Sequence, residues 1–166
     1  MRSDRHPANN SARRRRSPVV ENRQKRVRLS VPGLERFLFR INRELGLARD
    51  ATVVRLTTDA EMQRLNKNFR NKAKTTDVLS FPSETRSRPR ALRTRTKRLR
   101  GCYLGDIAIS PVVARRNAKA FGRTTPEEIC ILMLHGVLHL LGYDHETDRG
   151  AMQRVEAMLR NRLGLS

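Results

Sequence analysis

The sequence predicts a single α+β domain: four short strands, surrounding helices, and one buried helix that presents metal ligands. Three observations predict it. Four short runs have the alternation or bounded apolar character of strands, while five longer ones carry apolar residues at helical spacing. The length of 166 residues suits one domain with a real core. The run Ile129 to Leu141 is apolar nearly all round, which marks a central helix, and a histidine pair inside such a helix needs a partner.

Taken in order, residues 1 to 24 lack periodicity and carry Arg2, Arg5, Arg13 to Arg16 and Arg23, so they are expected to form a disordered basic tail. His6 lies there, away from any metal ligand. The tail is either plain solvated chain or an arm that adds RNA affinity without specificity. The domain proper then spans 25 to 166. Val27, Leu29 and Val31 alternate with Arg28 and Ser30, a strand pattern that Pro32 and Gly33 interrupt. Leu34, Phe37, Leu38, Ile41 and Leu45 recur as a helix that Gly46 ends. Thr52 to Thr57 is the second strand. Asp59 is the expected N-cap of a helix whose apolar face is Met62, Leu65 and Phe69. Asp77 to Phe81 and Tyr103 to Ser110 complete the strands, and Pro111 starts a helix that runs toward Gly122.

Thr125, Pro126 and Glu128 read as cap, first turn and capping box of the central helix, with acids at the positive end of its dipole. Met152, Val155, Met158, Leu159 and Leu163 make an amphipathic last helix, read as a packing element. Between Glu84 and Gly101 lies a basic insertion (about 85 to 100) with eight Lys or Arg and no acid, either a solvated loop or an RNA contact.

The formal charge of +20 exceeds what solubility requires and calls for a polyanionic partner, nucleic acid before acidic membrane. A proteome biased toward arginine is the alternative source of that charge. Cys102 and Cys130 form neither a C-x-x-C pair nor a disulfide framework and read as small buried hydrophobes in a reducing compartment. No apolar run is long enough to span a membrane, and the N-terminus lacks a secretory core, so a cytoplasmic protein is expected.

The chemistry concentrates in His135-Gly136-Val137-Leu138-His139-Leu140-Leu141-Gly142-Tyr143-Asp144-His145, which holds three of the four histidines. His135 and His139 stack one turn apart on one helix face. Gly142 can take the left-handed backbone that lets the chain turn back and deliver His145. Three imidazoles without a thiolate, leaving a fourth position open, is the donor pattern of a catalytic zinc, although imidazoles also accept nickel, copper and iron. The spacing H-x-x-x-H-x-x-G-x-x-H is that of the long zinc-peptidase signature, so the helix is zincin-like. Gly136, however, stands where those peptidases carry the glutamate base. Asp144 either orients a ligand or shapes the turn.

Three further stretches, Asn68-Phe69-Arg70-Asn71-Lys72, Thr76-Asp77-Val78-Leu79-Ser80-Phe81-Pro82 and Gly105-Asp106-Ile107-Ala108-Ile109-Ser110, precede that segment. In order, spacing and identity, the four resemble the bacterial endoribonuclease YbeY family of rRNA maturation factors, from roughly Val27 to Leu165. The resemblance implies helices around a small mixed four-stranded sheet and one Zn2+ held by His135, His139 and His145. It implies a single-strand-specific endoribonuclease in the cytoplasm, acting at the 3′ end of small-subunit rRNA and in ribosome quality control. Its partners would be rRNA, the small ribosomal subunit and other ribosome-maturation factors. The family's functional arginine falls on Arg70, which together with His135 would carry the catalysis. The basic insertion and the long basic N-terminus depart from the family pattern without touching the site motifs.

Two rival functions stay open from the residues. One is a non-catalytic, zinc-stabilised ribosome-assembly or RNA-binding factor, which a missing base favours. The other is a zinc peptidase with an unidentified base, against which Gly136 and the charge both argue.

Overall fold

A computed structural model describes residues 19–72, 74–83, 102–145 and 147–165. Most of the expected N-terminal tail and the basic insertion lie outside them. The described chain runs β1 (Val20–Asn22), α1 (Val31–Glu44), β2 (Thr52–Leu56), α2 (Asp59–Arg70), β3 (Val78–Pro82), β4 (Gly105–Ile109), α3 (Pro111–Ala120), α4 (Thr125–Leu140) and α5 (Ala151–Leu163). The four strands form one mixed sheet in the order β1-β2-β4-β3. β1, β2 and β4 are parallel and β3 is antiparallel to β4 at the edge.

Alternation along each strand divides the sheet into two faces. Val54, Leu56, Ile107 and Ile109 join the main core with α1, α4 and α5. Leu79 and Ala108 point the other way and pack with Met62 of α2, flanked by Leu65 and Phe81. α4 is the hub of the main core: Ile129, Met133, Leu134, Val137 and Leu138 on it are fully buried.

Several sequence expectations are corrected. The first strand is not Val27 to Val31. Ser30 instead accepts from the Gly33 N–H and caps α1, and Pro32 sits in the first turn, where a missing N–H costs nothing. Val27 is buried because the Gln24 amide brackets it, donating to its carbonyl and accepting from its N–H at 2.9 Å each. The real first strand, Val20–Asn22, lies inside the span expected to be a disordered tail and pairs in register with Val54 to Leu56. Two adjacent valines beside an arginine cluster were too short a run to show it.

The caps shift by one residue. Thr58, not Asp59, caps α2. Thr124, not Thr125, caps α4, and its capping box closes on Glu127. Glu128 is instead buried and paired with Arg123 at 3.1 Å. Finally, Phe69 is not on the packed face of α2 but 67% exposed.

Cys130 packs against the main core, and burial pushes its thiol up to about 12. Cys102 is half-buried. No described helix is long and apolar enough to cross a membrane.

Candidate metal centre

His135 and His139 lie on the half-buried side of α4, one turn apart. The helix ends immediately afterwards in a Schellman arrangement. The Gly142 N–H bonds to the His139 carbonyl at 2.9 Å and the Tyr143 N–H to the Leu138 carbonyl at 3.1 Å. Gly142 has φ of 94°, so the left-handed turn expected of it is real. The reversal brings His145, exposed, back over the other two. One ligand atom from each histidine lies within 4.8 Å of the others. The ring centroids are 4.7, 5.5 and 5.3 Å apart.

The outer ring nitrogens set the tautomers. His139 Nδ1 is 2.9 Å from the Tyr143 carbonyl, which can only accept, so this nitrogen carries the hydrogen. His135 Nδ1 is 2.9 Å from a Glu156 carboxylate oxygen and is assigned as a donor on the same ground. In neutral rings with that tautomer both Nε2 atoms are bare, and they face each other at 3.1 Å. Two lone pairs at that distance repel unless a proton or a cation lies between them. The donor set therefore fits a metal ion, and three imidazoles without a thiolate suit zinc. The trio could hold one ion. Burial, followed by repulsion from His135, lowers the His139 pKa and keeps its imidazole neutral, as a ligand must be.

Glu156 carries no signal in the sequence, where the last helix shows only a packing face. It sits eleven residues beyond His145 on α5, and no local spacing rule connects it to His135. Its other oxygen is 3.8 Å from Arg160. Asp144 accepts from the Thr147 hydroxyl at 3.0 Å, and its carbonyl takes the Thr147 and Asp148 N–H groups, as a turn-forming residue does.

Gly136 explains the absent carboxylate sterically. It faces the sheet, and a Cβ there would lie 2.8 Å from Ile107 Cγ2 and 2.9 Å from Cδ1. Beside it, the Ser80 hydroxyl donates to the Gly136 carbonyl at 3.1 Å and ties edge strand β3 to α4. Arg70 is not in the histidine trio. It is the last residue of α2, exposed, and pairs with no described carboxylate. Its neighbour Phe69 packs edge-on against Phe81 of β3 at 4.5 Å.

Fold and site together define an α+β domain whose central helix and following turn bring three histidines to one point. Residues 19–164 match the model of the family described as Endoribonuclease YbeY. The chain belongs to that family. It is 44% identical over 161 residues to the Endoribonuclease YbeY of Solibacter usitatus (strain Ellin6076), covering 96% of this chain and 91% of that protein. It is 39% identical over 143 residues to that of Koribacter versatilis (strain Ellin345), covering 86% and 84%. Among solved structures, the solution structure of TM1509 from Thermotoga maritima shares the fold, with a TM-score of 0.54 and 24% identity across 87% of this chain and 88% of that one.

Proposed function

We propose that this chain is a zinc-dependent endoribonuclease that cuts single-stranded RNA in maturation of the 3′ end of small-subunit rRNA and in ribosome quality control. The observation that carries the metal reading is the pair of bare, facing Nε2 atoms 3.1 Å apart, with His145 turned toward them. The RNA reading is supported by the names of the relatives and by the charge of +20.

In this reading His135, His139 and His145 hold the ion. When bound, zinc supplies Lewis acidity and a water activated at neutral pH. The chain's own residues do the rest. Glu156 and the Tyr143 carbonyl fix the two helix imidazoles in the ligating tautomer. Arg70, without a carboxylate partner among the described residues, clamps the phosphate and offsets charge as it develops in the transition state. Peptide hydrolysis is disfavoured, because position 136, where the zinc-peptidase signature carries its glutamate base, is glycine. The working compartment is the cytoplasm, and the partners are rRNA, the small ribosomal subunit and other maturation factors.

The buried Gly136 also favours a second reading, a zinc-stabilised assembly factor that binds RNA without cutting it. Cleavage of an rRNA precursor by purified protein separates the two. His139→Ala should abolish cutting and Arg70→Ala should reduce it by about 10²- to 10³-fold, both with the fold retained. If both variants cut like the parent, the activity belongs to a contaminant and the assembly-factor reading stands.

A further inference from the structure

We propose that Phe69, braced by Phe81, is a platform on which a nucleobase of the RNA stacks at the edge strand β3. The inference rests on the RNA-cleaving reading and adds to it a site for the base.

A phenylalanine left 67% exposed on a folded domain retains an apolar face in water. Its ring is not loose, because Phe81 holds it edge-on at 4.5 Å with the planes 68° apart. A ring already fixed loses little freedom when a base stacks on it, and every base offers a face that can do so. The surroundings select the ligand. From Gln63 to Thr76 the chain contains Arg64, Lys67, Arg70, Lys72 and Lys74 and no acid. All five are exposed, and none is in an ion pair among the described residues. An apolar face within a field of unpaired cations fits a stacked base with its phosphates.

Phe121 provides the contrast. It is 64% exposed, but Arg123 lies 5.3 Å over its ring and is already paired with Glu128. β3 is the edge strand, with Phe81 on the α2 face beside Phe69 and its neighbour Ser80 on the α4 face. A strand of RNA crossing the β3 edge would set one base on Phe69 and its phosphate toward Arg70.

The chain contains no tryptophan, so Phe69→Trp places a single tryptophan, excited apart from the two tyrosines, at the platform. With chelator present to stop turnover, a short single-stranded oligoribonucleotide should quench its emission, whereas inorganic polyphosphate should not. Phe69→Leu should weaken oligoribonucleotide binding by about tenfold, within the range of one lost base stack, and leave polyphosphate binding unchanged. Phe121→Leu should alter neither. Equal quenching by polyphosphate, or parental RNA affinity in Phe69→Leu, overturns the platform. Failure of the metal-loaded parent to cut RNA overturns the nuclease reading, while base-dependent quenching would still uphold the platform.

Discussion

His135 needs its outer nitrogen occupied before its inner one can serve a metal, and Glu156 meets that need. Glu156→Gln keeps an acceptor of the same shape but removes the charge, so zinc affinity should fall by about 10- to 100-fold with little change in fold. Competition with a chelator of known affinity measures it, and an unchanged affinity would reduce Glu156 to a packing residue. His139 leads to a pH prediction. Its folded pKa lies below its unfolded value of about 6.5, so protons bind the unfolded chain more readily. Its contribution to stability is complete above that unfolded value and is lost as pH falls below it. Thermal melts of metal-free protein should show a loss from pH 7 to pH 5 that is smaller in His139→Gln. The histidines were legible as a candidate metal set because three of the four in the chain share one short segment. Glu156 was not, because its contact crosses between helices.

At the scale of the element, α4 lies directly on the sheet at Gly136, and Ile107 fills the space a side chain would need. Gly136→Ala gains helix propensity yet overpacks the core, and it should destabilise the protein by about 1–3 kcal/mol in urea unfolding. In an Ile107→Ala background the same substitution should cost much less. Equal cost in both would place the strain elsewhere. The sequence reading took Gly136 for a missing base without seeing the packing that excludes one. α4 is legible from its long apolar run and its N-terminal cap signals, and α5 from helical periodicity. β1 is not, because a three-residue strand is defined by its partner β2 more than by its own residues.

For the whole molecule the dominant fact is charge. An excess of +20 makes phosphate neutralisation the main term in RNA affinity, so log affinity should fall linearly and steeply with log salt. A flat response from 50 to 200 mM salt, measured with a labelled oligoribonucleotide, would show the cations to be bystanders. The amino-acid sequence alone determined the helices, the turn at Gly142, the grouping of three histidines in one segment and the net charge. Each follows from near neighbours, from the residue types in one short segment or from bulk composition. Only the tertiary structure decided that Glu156 meets His135, that Ile107 excludes a side chain at position 136, and that Phe69 rests on Phe81. Those are contacts between segments distant along the chain, and no spacing rule records which of them the core will bring together.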